Sequence, residues 1–280
     1  MICVIVYDAI GVCCCRTGLL PAEGSEKLML DLQKASVFKR LGAYLLDLIL
    51  LATLAVGAWA MFSPAVGYNE YAVKLKGYYE KYEQEYDIDF DISSEEYEAL
   101  SEEELKKYTD ANEAMNQDEE ALYVYNMKVY LEIMLASSSI LLAYTVLEIV
   151  VPLILKNGQT VGKKVFGLCV MHKEGVRVSA IQMCFRTLLG KYTLETMPFV
   201  LWFILTAYQA LGIVVGFVIS LLAMAQAIIL IFSRANCAIH DKLCNTVVVD
   251  YHSQMIFDCV EDLIEYKEAL AAEEAENAEY

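Results

Sequence analysis

The chain has 280 residues, 58% hydrophobic and 21% charged, with a net charge of −17 and a mean hydropathy of +0.41. That is too apolar for an ordinary soluble domain and points to a membrane protein in contact with lipid. Tyr68–Met127 holds 18 acids against five lysines and Asp258–Tyr280 nine acids against one. No basic face is left for nucleic acid, and disorder is excluded for all but the acidic tail.

Residues 1–36 precede the first apolar pass. Met1–Leu20 is apolar, but Asp8 interrupts it and no basic residue precedes it, which makes a poor signal peptide. Cys13, Cys14 and Cys15 are open to lipidation. As metal ligands they lack the usual spacing. The plainest alternative takes Met29 as the true start and 1–28 as a misassigned extension.

Leu41–Phe62 carries Asp47 as its only charge, and Ile133–Leu155 carries only Glu148. A bilayer core needs about 20 helical residues, so transmembrane helices are expected over 37–62 and 131–155. Met197–Phe232 is uncharged for 36 residues, which as one helix would reach ~54 Å. A hairpin of two short passes over 196–233 is expected, turning at Tyr208, Gln209, Ala210, Leu211 and Gly212. The rival is one long tilted helix.

Lysines and arginines flank the first pass on its N-terminal side and fill 156–195. The positive-inside rule places both segments in the cytoplasm. In a cell membrane the N- and C-termini are then cytoplasmic, and the acidic segment 63–130 is outside. All nine cysteines avoid that segment, and on the reducing side no disulfide is expected.

In the acidic insert, Ser93 with Glu96 and Ser101 with Glu104 match helix-capping boxes. They predict a helix over Ser94–Tyr108, and another from Gln117 into the second pass. Asp87, Asp89, Asp91, Ser93, Glu95 and Glu98 fall at the ligand positions of a calcium loop. Ile92, however, stands where the turn needs glycine, and Ser94 where an apolar residue is usual. The plainer reading is a solvated helical hairpin with tyrosines between its helices. Ten of the 19 tyrosines lie here. Such a surface would dock a basic protein partner.

In the connector, Gly158-Gln159-Thr160-Val161-Gly162-Lys163 is one residue short of a phosphate-binding loop, and no Ser or Thr follows the lysine. Val165–Met171 reads as a strand, Lys173–Gly175 as a turn and Val176–Val178 as its return. Ser179 caps an interfacial helix with Ile181, Cys184, Phe185, Leu188 and Leu189 on one side and Arg186 and Lys191 opposite. In 234–257, Thr246–Asp250 is strand-like and is expected to pair with Val165–Met171. The acidic tail fills 258–280.

These pieces predict an all-α integral membrane protein with four transmembrane helices. The third and fourth form a tight hairpin, and a small cytoplasmic β element and an amphipathic interfacial helix complete the fold. Together they resemble the RDD family, on Arg40-Leu41-Gly42-Ala43-Tyr44-Leu45-Leu46-Asp47, Glu148, Gly158–Leu168, Arg186, His240-Asp241-Lys242 and Thr246–Val249. The resemblance covers roughly 37–250, apart from the acidic insert. It implies a multi-pass membrane domain and brings the suggestion of transport. It does not account for the insert.

Arg40 and Asp47 are seven residues apart and share a helix face. Asp47 lies ~10 Å deeper than Arg40, and Glu148, seven residues before Leu155, reaches a similar depth. A buried carboxylate is costly and persists when protonated, paired or wet. Two close carboxylates would share a proton, and a monovalent cation could replace it, giving cation/proton exchange. The alternative is structural. Arg40 pairs with Asp241 or Asp47, beside His240, and the ion pairs only lock the helices of a scaffold or assembly subunit. A homo-oligomer fits either reading. Gln209 and Gln226 read as helix-helix glue. The three histidines stand without a nucleophile or metal partner at a recognisable spacing, so neither enzyme activity nor a cofactor is expected.

Overall fold

The structure is a computed structural model that describes residues 35–155, 157–207, 216–218, 220, 221, 224, 225 and 238–278. The expected turn at Tyr208–Gly212, Gln226, Cys237 and the amino-terminal readings lie outside the described residues. The described chain is mostly helical with one two-stranded sheet. It divides into two compact units, residues 55–139 and a body made of 1–54 with 140–280.

Among the described residues, two helices are long and apolar enough to cross a membrane, α1 (Val37–Ala65) and α5 (Glu119–Leu155). Along α1, Ile49, Val56 and Met61 are 63%, 70% and 73% exposed. Water would penalise that surface and lipid does not. α5 starts at Glu119, so the helix expected from Gln117 does run into the second pass.

Within residues 55–139, α2 (Tyr68–Tyr86) ends where Asp87 turns left-handed and donates its N–H to the Glu83 carbonyl. Next come α3 (Ser94–Glu98) and α4 (Glu102–Gln117), and both capping boxes form. The single helix expected over 94–108 is therefore two helices. The extended backbone of Ser101 (φ −68°, ψ 161°) starts α4 afresh. Asp118 then caps α5, accepting the N–H groups of Glu120 and Ala121 at 3.0 and 3.1 Å.

Tyr82, Met115 and Ala121 form the core of this unit, with Tyr78, Tyr79, Tyr86 and Phe90 packed on it. The expected hairpin thus gains a third helix, because α5 supplies Ala121. Phe90 meets Tyr79 and Tyr108 edge to face, with ring centroids 5.4 and 5.3 Å apart. Three of the calcium-loop positions, Asp89, Asp91 and Ser93, make local hydrogen bonds. Ser93 exchanges hydrogen bonds with Glu96, and Asp89 accepts the Asp91 N–H.

In the body, α6 (Val161–Val165) precedes β1 (Leu168–His172), which pairs antiparallel with β2 (Thr246–Asp250), Val170 facing Val248. The sheet forms as expected, but the strand begins at Leu168. Thr160 caps a helical turn through Val165, and Phe166–Gly167 reverses the chain. The return at Val176–Val178 amounts to isolated bridges, from Met171 to Arg177 and from Val176 to Phe257. Leu168, Val170 and Val248 pack with Ala35 and Ala43, while Cys169, Met171, Val247 and Val249 pack on the other face.

Ser179 starts α7 (Ala180–Phe185) with a capping box to Gln182. The helix widens to i→i+5 bonding over Arg186–Thr196 before α8 (Met197–Ala207). Ile181, Phe185 and Leu189 are exposed, as an interfacial helix requires, but Arg186 opposite them is buried in protein. The short α9 (Ile239–Leu243) leads into β2, and the acidic tail forms α10 (Val260–Ala278).

Candidate functional site

Asp47 on α1 is buried, and both its oxygens are used by the connector. The Thr160 hydroxyl donates to Oδ2 at 2.5 Å and the Gly162 N–H to Oδ1 at 2.7 Å. Thr160 also caps α6, its hydroxyl oxygen accepting the Lys163 N–H at 3.3 Å and Lys163 Nζ at 3.2 Å. A Cβ at Gly162 would lie 2.3 Å from the Ala43 carbonyl oxygen and 2.8 Å from Asp47 Cγ. Only glycine lets the connector backbone touch α1 here. The segment that falls short of a phosphate loop thus receives a protein carboxylate.

Glu148 sits in a stretch of α5, Thr145–Val150, that is wound with i→i+5 bonds. Pro152, four residues on, has no N–H to offer the Glu148 carbonyl. The Thr187 hydroxyl donates to that carbonyl at 3.3 Å instead. The side chain faces three cations. Lys191 donates directly to Oε1, while Lys163 Nζ and Arg186 Nη1 stand 3.9 and 4.0 Å from Oε2. On an α-helix, residues five apart such as Arg186 and Lys191 would diverge by about 140°. The wider turn of Arg186–Thr196 brings both toward Glu148.

Arg186 also donates Nε and Nη2 to Asp241 Oδ1 at 3.0 and 2.8 Å. Thr246 donates to the same oxygen at 3.2 Å, and the Ala238 N–H lies 3.3 Å from Oδ2. Burial opposes ionisation of Asp241, but Arg186, with His240 and Lys191, outweighs it and holds the carboxyl below the usual carboxylate range. Burial and then Arg186 hold the His240 imidazole below its ordinary value, against Asp241 and Glu195. His240 Nδ1 shares a 2.7 Å hydrogen bond with Glu195. A Cβ at Gly190 would lie 2.4 Å from His240 Cβ, so α9 rests on the widened helix through a glycine.

Of the predicted residues, Asp47, Glu148, His240 and Asp241 fall into one network of contacts. Thr160 and Lys163 link Asp47 to Glu148. The arginine that meets Asp241 is Arg186, whereas Arg40 donates to the Val248 carbonyl on β2. Thr160, Gly162, Lys163, Lys191 and Glu195 were not singled out as site residues in the sequence. The signals were the excess of cations in the connector and the glycines flanking Thr160.

A mostly helical chain with two helices long and apolar enough to cross a membrane, and with charges paired in the interior of its body, has the character of a membrane protein. The family model described as RDD family matches residues 34–245, most of the chain, and spans Arg40, Asp47, Glu148, Arg186 and Asp241. The chain belongs to the RDD family. The match ends just before β2. No curated protein and no solved structure matches the chain.

Proposed function

We propose that this RDD-family protein is a non-enzymatic, four-pass scaffold or assembly subunit of the cell membrane, with both termini cytoplasmic. Its interior charges lock the connector onto α1 and α5. The observation that carries this reading is the surroundings of Glu148, whose oxygens face the heads of Lys191, Lys163 and Arg186. A further cation brought there would meet three like charges in a medium of low dielectric constant. The exposed acids of the insert would hold a basic protein partner. Removal of residues 70–125 is then expected to strip a co-purifying protein, and an unchanged set of partners counts against that role.

One observation favours cation/proton exchange as a second reading. Asp47 is held by two neutral donors, a hydroxyl and a backbone N–H, with no direct ion pair among the described residues. Proton flux driven by sodium, potassium or lithium in proteoliposomes separates the readings. The locking role predicts no flux from folded wild-type protein, and a lower Tm in Glu148→Gln. Flux in the wild type that disappears in folded Asp47→Asn protein would establish exchange instead.

A further inference from the structure

We infer that Lys163 is the proton-exchanging member of this lock, so that the grip of the connector on α1 and α5 changes with pH. The inference rests on the locking role proposed above. The three cations around Glu148 are held unequally. Arg186 makes two hydrogen bonds to Asp241, and a guanidinium does not lose its proton. Lys191 donates directly to Glu148 Oε1. Lys163 Nζ, by contrast, hydrogen-bonds the Thr160 hydroxyl at 3.2 Å, a neutral acceptor whose own proton goes to Asp47. Its nearest carboxylate oxygen, Glu148 Oε2, is 3.9 Å away. An ammonium carries three donors, and this one is buried with a single hydrogen bond to its head among the described residues.

The groups facing Lys163 come from every element around it. Asp47 on α1 and Glu148 on α5 favour its charge, and Arg186 and Lys191 on the widened helix oppose it. Burial is the largest influence and brings the ammonium down from 10.5 to about 8 despite Glu148. Loss of the proton leaves Glu148 paired with Lys191 and leaves Thr160 bonded to Asp47. The lock therefore survives the exchange and changes strength.

The direction follows from linkage. Between about 8 and 10.5 the folded protein holds Lys163 neutral while the unfolded chain keeps it charged. The unfolded state binds more protons there, so stability rises with pH across that window. Below about 8 both states carry the charge and this contribution is flat.

The test is Tm of the full chain in lipid nanodiscs as pH is raised from about 7 to about 9.5, comparing wild type with Lys163→Met and Lys163→Arg. Neither variant can exchange a proton at this position, and every other titrating group is common to all three. Wild type is expected to gain stability relative to both variants as pH passes about 8. Its 15N-labelled Lys163 amine, identified by its loss in Lys163→Arg, is expected to titrate in the same range. Parallel pH curves for all three proteins, or an amine that titrates near 10.5, would overturn the inference. Variants that lose stability equally at every pH leave the locking role standing without the exchange. Variants identical to wild type at every pH remove the exchange and any part of Lys163 in the lock.

Discussion

Residues 55–139 hold half of the chain's acids and turn most of them to solvent, whereas the body buries a few charges and gives each a partner. In the insert, Asp87 has a side chain 98% exposed, and Lys76 pairs with Glu80 across an exposed helix face. In the body, Arg186 and Asp241 have side chains 1% and 4% exposed. The same residue types contribute very differently. An exposed pair is worth roughly 0–1 kcal/mol, while removing one partner of a buried pair costs about 3–5 kcal/mol. The cores differ correspondingly. Tyrosine, methionine and alanine fill the insert, and a charge network sits within the body. The acidic composition of the chain is thus a property of exposed surface, in the insert and in the tail helix, and a few interior charges decide how the body holds together.

That contrast can be broken most sharply at Arg186. Arg186→Leu leaves Asp241 buried without its guanidinium and is expected to cost about 3–5 kcal/mol in thermal unfolding. The double variant with Asp241→Leu should recover part of that loss. The pair should also fail in acid. Asp241 has a depressed folded-state pKa, so its contribution is present above the unfolded value of 3.8 and is lost as pH falls through the folded one. Arg186→Leu should weaken that acid dependence.

Gly162→Ala comes next. Its Cβ would strike the Ala43 carbonyl and Asp47, an overpacking cost of about 1–3 kcal/mol. Proteolysis within the connector should accelerate. Thr160→Val keeps the shape but deprives Asp47 Oδ2 of its donor, for about 1–3 kcal/mol, and Thr160→Ser should restore most of it. The smallest effects are expected in the insert. Ser101→Ala removes the start of α4, roughly 1 kcal/mol, and Lys76→Ala should leave Tm within error. A large loss at Lys76 would show that the insert depends on its charges as the body does.

The parts legible in the sequence are those set by local rules. Apolar length gave α1 and α5, Ser93, Ser101 and Ser179 gave three capped helix starts, and β-branched runs gave the paired strands. The partners of the buried acids were not legible, for two physical reasons. The i→i+5 windings at Thr145–Val150 and Arg186–Thr196 shift residues off α-helical spacing, so Arg186 read as a solvent-facing cation. Gly162 reveals its purpose only once α1 lies against it, since nothing local says that its N–H will meet Asp47. Rise per residue sets an expected depth for Asp47 and Glu148, but depth carries no information on the Thr160 and Lys163 contacts that link them.

Glu148 and Asp241 hold the body together through named cations. A double-mutant cycle on Tm between Glu148→Gln and Lys191→Met tests it most directly. The account predicts that the two losses are far from additive, with a coupling of about 0.5–3 kcal/mol, because each variant removes the same buried contact. Strict additivity, or a Glu148→Gln protein as stable as wild type, would contradict it.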